Sequence, residues 1–330
     1  MTQKSWIQEF RNSLFPIKST EANIERAYQI KECNIPQSIF KYKCFNELCK
    51  KDLINSTIHI STPDKFNDPY DCALSINSSN LTEYTLQTMP QQLEAVMMNN
   101  ASDQIMMQKL IKTIAGTRQL KDRVEAMADF YYAEGGDANI ARDKIIDFLT
   151  KAFAFVDKLV DQRNFNGIKP AFKICSFSES HKSIIMWSHY ACQHRGICIE
   201  YDTDTMRKKN NLLTRLLYPV FYQNNMITMS EYITNQGDNV LYFHQLALIK
   251  SVEWQYEKEW RWVCPGAVCD EIVRIDDIVM PLPKAIYCGA LCEDSASLWL
   301  KDFCKKNRID LFKADLKPNS FDMDFLSVTL

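Results

Sequence analysis

The segment QYEKEWRWV, Gln255 to Val263, constrains the fold more than any other stretch of the chain. Read as a strand, its period of two places Glu257, Glu259 and Arg261 on one face and Lys258, Trp260 and Trp262 on the other. Two tryptophans in register demand a hydrophobic layer beneath them. Three charges in register demand water, mutual pairing or a cleft above them. Such a strand belongs in a sheet with one buried face, so the sequence predicts a layered fold with this strand near its centre.

Other segments supply the rest of that layer. Ser38 to Phe45, Ile58 to Ser61, Phe172 to Phe177, Gly196 to Tyr201, Tyr218 to Tyr222, Ala285 to Gly289, Leu311 to Leu316 and Phe321 to Val328 read as strands. Glu47 to Ile54, Lys182 to Gln193, Asn239 to Ile249 and Ser295 to Lys305 read as helices, and Trp6, Ile7, Phe10 and Leu14 give an N-terminal helix over about 3–15 one apolar face. Strands and helices mix without a βαβ rhythm. The expected class is α+β, with a mixed or antiparallel sheet. From about 81 to 165 the pattern turns helical: Ile145, Leu149, Phe153, Val156 and Val160 recur at helical spacing after an Asp137 cap, and methionines cluster at 89, 97, 98, 106, 107 and 127. With no Pro/Gly/Ser linker on either side, this block is read as a helical insertion in a single domain spanning 1–330. The β-rich body then occupies about 36–80 and 170–330.

Composition narrows the classes. A formal net charge of −2 supplies no global field for nucleic acid or anionic lipid, and the run Arg207 to Lys209 reads as a solvated helix end. The 12 cysteines include no C-x-x-C pair, and no histidine joins the nearest ones at zinc spacing, so no metal site is expected. Cysteines among apolar neighbours, as in Gly-Ile-Cys-Ile, read as reduced thiols of a cytoplasmic protein. No apolar run is long enough to span a bilayer, so no membrane contact is expected.

Candidate chemistry gathers in three places. The Glu257–Glu259 pair beside Arg261 is the first, because adjacent carboxylates near a fixed cation split their proton affinities. The second is CSFSESHKSIIMWSHYACQHRGICIEYD, Cys175 to Asp202, which offers Ser176 and Ser178 on a strand, His189 as a general acid or base, Trp187 and Tyr190 as aromatic walls, and Glu200. The third is the turn FNDPYD, with Asn67, Asp68 and Asp71. Neither a G-x-G-x-x-G nor a P-loop motif is present.

In order along the chain, FKYKCF, ISTPDKFNDPYDC, CSFSE, MWSHYACQHRGICIEYD, WQYEKEWR, AIYCG and LFKADLKPNSFDMDF resemble the bacterial "domain of unknown function 2971" family. That resemblance implies no reaction, although some members look like abortive-infection or phage-defence proteins. A more distant similarity links Lys41-Tyr42-Lys43, Ser176-Phe177-Ser178 and Glu257-Lys258-Glu259 to the ordered motifs of Arg–Ser–Glu ADP-ribosyltransferases, with Lys where those enzymes carry Arg. It implies NAD as substrate and a macromolecular acceptor. In that scheme Glu259 stabilises an oxocarbenium-like ribose, Glu257 orients the acceptor, and Ser176 or Ser178 positions Glu259. Lys43 contacts the pyrophosphate, and Tyr42 or Tyr190 stacks on nicotinamide. The alternatives are a non-catalytic interaction module, antitoxin-like or sensing, in which Glu257, Glu259 and Arg261 form an ion-pair network or a surface for a protein partner, and a magnesium nuclease using Asp68, Asp71, Glu179 and Glu200.

Overall fold

The structure is a computed structural model that describes residues 5–75, 172–265 and 277–330. The helical block expected over about 81–165 lies outside the described residues. The chain divides into two compact units. One takes in Met1–Ala73, Asn166–Ile227 and Asp238–Leu330, and the other takes in Leu74–Phe165 and Thr228–Gly237. The described part of the second unit includes a short helix, Met229–Thr234.

The first unit is built on an eight-stranded sheet. Its strands belong to a set numbered β1 (Ser38–Lys43), β2 (Thr57–His59), β3 (Phe172–Ser178), β4 (Ile197–Asp202), β5 (Leu217–Pro219), β6 (Phe221–Gln223), β7 (Ile249–Ser251), β8 (Glu259–Pro265), β9 (Asp277–Val279), β10 (Ala285–Cys288), β11 (Asp310–Leu316) and β12 (Met323–Ser327). The order across the large sheet is β12-β11-β10-β4-β1-β3-β8-β5. All neighbours in it are antiparallel except β10 and β11. A helix, α5 (Asp294–Asn307), makes the crossover between those two, because parallel neighbours cannot be joined by a tight turn. The fold is therefore α+β with a mixed, mostly antiparallel sheet. The remaining helices used below are α1 (Ser5–Leu14), α2 (Ile24–Glu32), α3 (Glu47–Asn55) and α4 (Ile184–Tyr190).

Alternation sorts the sheet's side chains into two layers. Ile39, Cys175, Phe177, Ile197, Ile199, Trp260, Trp262, Ile286 and Leu311 point into one core, which also receives Cys49 and Leu53 from α3 and Leu300 and Cys304 from α5. On the opposite face Phe40, Tyr42, Cys198, Ala285 and Tyr287 build a second, smaller apolar cluster with Met186 and Trp187 of α4. Ser178, Glu259 and Arg261 also lie on this second face, because Phe40 sits opposite Ser178 and Ser178 opposite Glu259.

Several expectations need correcting. The strand expected from Gln255 begins only at Glu259. Val252–Glu257 is a 3-10 turn, and Lys258 links the two in the left-handed region at φ 46°. Glu257 and Lys258 are therefore not on the strand, and Lys258 is exposed rather than packed beside the tryptophans. Tyr218 to Tyr222 is two strands in different sheets, β5 in the large one and β6 paired with β7. The helix expected over Asn239 to Ile249 is a 3-10 segment, Tyr242–Leu248. Helix α2, unforeseen, packs beside α1. Not every cysteine is reduced, since Cys44 and Cys192 form a disulfide across 148 residues. Cys198 of Gly-Ile-Cys-Ile is a free, buried thiol, as expected. Among the described residues no helix is long and apolar enough to cross a membrane.

Candidate functional site

A cleft of about 430 Å³ opens on the second face of the sheet. Its walls come from β1, β3, the 3-10 turn Pro63–Lys65 with the loop after it, α4, β7 and the start of β8. The floor is a buried network of five charges. Arg261, fully buried, donates from Nε to Glu259 Oε1 at 2.9 Å and from Nη2 to Glu259 Oε2 at 3.0 Å. It also grips both oxygens of Asp71, at 2.7 and 2.6 Å, and the Ala247 carbonyl at 2.9 Å. Lys250 Nζ donates to Glu257 Oε2 at 2.5 Å and Glu259 Oε2 at 3.1 Å, and lies 3.8 Å from Asp71 Oδ2. Three carboxylates thus share two cations, which leaves the floor one negative charge in excess when all are ionised.

That imbalance falls unevenly on the two glutamates. Burial works against an ionised Glu259, but Arg261 and Lys250 outweigh it and hold its carboxyl well below the usual range. Burial and the neighbouring Glu259 charge push the Glu257 carboxyl above its ordinary value, against the pull of Lys250 and Tyr190. Lys250 and Arg261 both have raised proton affinities: burial opposes their charge, and the surrounding carboxylates overcome it. The Tyr190 hydroxyl donates to Glu257 Oε1 at 2.7 Å, and its pKa rises through burial and that same carboxylate.

Neutral groups complete the setting. Ser178 Oγ donates to the Glu257 carbonyl at 2.6 Å, and Ser176, on the same face of β3, lines the cleft with Glu259. The Glu259 amide donates to Tyr222 Oη at 2.8 Å. Phe66 lies under the Arg261 guanidinium at 5.7 Å, and Trp254 under Lys250 at 4.9 Å. Exposed Asn67 donates weakly to Tyr190 Oη at 3.4 Å, and exposed His189 meets Tyr256 Oη at 3.2 Å. Phe40, Tyr42 and Met186 give the cleft an apolar side.

Of the residues expected at a site, Tyr42, Asn67, Ser176, Ser178, His189, Tyr190, Glu257, Glu259 and Arg261 line this cleft. Four do not. Lys43 points to the opposite face, where it pairs with Asp52 of α3. Asp68 is buried and caps its own turn, accepting the Tyr70 amide at 2.9 Å. Trp187 is wholly buried behind Tyr42, its indole donating to the His181 carbonyl at 2.7 Å. Glu200 is held by Ser38, Lys284 and Tyr287 at 2.6–2.7 Å, so it does not converge with Ser178, His189 and Glu259. Of the acids in the nuclease reading, Asp71 and Glu200 are thus committed separately, and Glu179 accepts the Trp260 indole at 2.8 Å. Among the described residues no group of three or more His, Cys, Asp or Glu side chains is arranged to hold a metal.

Sequence reasoning missed Lys250 altogether and left Asp71 out of the NAD site. Lys250 carries one visible signal: it is a lone cation closing the apolar run Leu246-Ala247-Leu248-Ile249. A charge buried at the end of such a run requires partners.

The turn that ends α4 has a further peculiarity. Cys192, Gln193 and His194 all adopt positive φ, at 46°, 55° and 66°. None is glycine, and each such residue costs about 1 kcal/mol or more. The turn satisfies carbonyls at the end of α4: Gln193 N–H donates to Ser188 O and His194 N–H to Trp187 O, both at 3.2 Å.

No curated protein and no solved structure matches the chain. The family model described as "Protein of unknown function (DUF2971)" matches residues 186–262. That span holds His189, Tyr190, Lys250, Glu257, Glu259 and Arg261, so the stretch over which this chain is similar to the family carries most of the charged floor of the cleft.

Proposed function

We propose that the cleft cleaves the N-glycosidic bond of a nucleotide of the NAD class, passing the ribosyl group to water or to a macromolecular acceptor. The observation that carries this reading is the divergence of Glu257 and Glu259 in proton affinity within one cleft. Glu259, held ionised, is suited to face the positive charge that develops on the ribose as the bond to nicotinamide breaks. Glu257, with its carboxyl raised above its ordinary value, is suited to take a proton from the attacking hydroxyl. The electron pair of the broken bond leaves on nicotinamide, which departs neutral and needs no acid. Aromatic groups at Tyr42, Phe66 and Tyr190 offer stacking surface. Exposed Lys65 on the cleft wall takes over the pyrophosphate role first considered for Lys43. The setting of Lys41–Lys43, Ser176–Ser178 and Glu259 on three adjacent strands, β1, β3 and β8, also supports the reading. A role in phage defence belongs to the same proposal through the family resemblance.

A second reading is favoured by the full engagement of Arg261, whose guanidinium spends its donors on Asp71, Glu259 and Ala247. In it the network only holds together a non-catalytic interaction module. Incubation with NAD separates the two. The enzyme reading expects nicotinamide release that falls at least a hundredfold in Glu257→Gln, with little change in melting temperature. A flat trace from folded wild-type protein, with candidate acceptors present, overturns it.

A further inference from the structure

We propose that the Cys44–Cys192 disulfide is a redox latch on the cleft: closed, it holds the left-handed turn that caps α4 and keeps His189 and Tyr190 on the cleft wall; opened, it lets that turn relax and releases both. This rests on the reading of the cleft as a functional site, whatever ligand fills it.

Three observations converge on this turn. Cys192 opens the run of three consecutive left-handed residues, so the bond is anchored where the backbone holds a conformation that L side chains rarely adopt. The turn satisfies carbonyls at the end of α4, and Tyr190, two residues before Cys192, donates to Glu257 in the charged floor. Cys44 directly follows β1, whose Tyr42 also lines the cleft. The bond therefore ties the end of one cleft wall to the strained end of another.

Packing around the turn is close. A Cβ on Gly196 would stand 2.3 Å from the Lys43 carbonyl, and one on Gly289 would stand 2.1 Å from the His194 carbonyl. With so little slack, a turn freed from its clip has to shift the end of α4 rather than adjust in place. The bond is also within reach of a reductant, since Cys192 is exposed and Cys44 half-buried.

Opening is a two-electron exchange. One thiolate of a small dithiol attacks Cys192 Sγ, the Cys44–Cys192 bond breaks, and its electron pair leaves on Cys44 Sγ, which takes up a proton. The second thiolate of the dithiol then displaces Cys192 from the mixed disulfide and closes the reductant's own disulfide ring.

The test uses the full chain, air-oxidised or treated with dithiothreitol, beside Cys44→Ser. Amide hydrogen exchange is followed in residues 184–196, with the cysteine-free strand 310–316 as an internal reference, and nicotinamide release from NAD is measured in parallel. The latch predicts at least tenfold faster exchange over 184–196 on reduction, with the reference unchanged. Cys44→Ser should exchange fast without reductant and ignore its addition. Unchanged exchange over 184–196, or equal acceleration in the reference, overturns the latch. So does nicotinamide release that is present but identical in the closed and open states. If exchange responds while release is absent in both states, the NAD reading fails and the latch stands.

Discussion

Glu257 and Glu259 stand with a single residue between them, yet their environments drive them in opposite directions. The sign of the effect on stability follows from linkage. A carboxyl whose proton affinity is raised by folding contributes stability that is full below its unfolded value, ordinarily 4.5, and is lost as pH rises through its folded value. The depressed Glu259 does the reverse: its contribution is full above 4.5 and is lost as pH falls through its folded value. Urea unfolding of wild type and Glu257→Gln from pH 4.5 upward should therefore show wild type losing ground to the variant as pH rises. Parallel stability curves would place Glu257 outside the network. At this scale the sequence exposed the pair but not the route by which it is assembled. Period two would align Glu257 with Glu259 on one strand. In the structure a left-handed Lys258 does it instead, and nothing about a lysine announces that conformation. Lys250 was equally hidden, since its approach depends on β7 pairing with β6 far from the glutamates in sequence.

Among the elements, strands with one buried face were legible because alternation reports directly on burial. Ile39 against Phe40, Ile197 and Ile199 against Cys198, and Trp260 and Trp262 against Arg261 all sort as a pleat requires. Helix α2 escaped because its buried stripe includes a charge: Lys31 is wholly buried, a position that apolar periodicity does not count. Its ammonium donates to the Thr214 and Arg215 carbonyls at 3.1 and 2.6 Å and lies 4.6 Å from the rings of both Tyr28 and Tyr218. Burial, helped by Arg215 and Arg207 and opposed by Glu32, lowers its pKa from 10.5 to about 7. Between those two values the unfolded chain holds the proton and the folded one releases it, so this group makes stability rise with pH. Chemical denaturation from pH 7 to 10.5 should show that rise in wild type and a shallower one in Lys31→Met. An identical slope in both would mean that Lys31 stays charged throughout.

For the whole molecule, the disulfide is the longest covalent tie described. Closing a loop of 148 residues restricts the unfolded chain by about 5 kcal/mol on chain-entropy grounds. Cys44→Ser should therefore lower the urea midpoint clearly, by an amount corresponding to about 2–5 kcal/mol. A midpoint that does not move would mean the bond constrains little in the unfolded chain. No sequence argument could find this pair, because 12 cysteines without regular spacing allow too many pairings. The sheet order poses the same difficulty. β1 lies between β3 and β4, although well over a hundred residues separate it from both along the chain. That placement sets a schedule for synthesis. A ribosome adding about 5–20 residues per second leaves β1 without either neighbour for roughly 6–26 seconds. Throughout that interval Ile39, Phe40 and Tyr42 are an open invitation to a chaperone, or to the same strand on the next nascent chain.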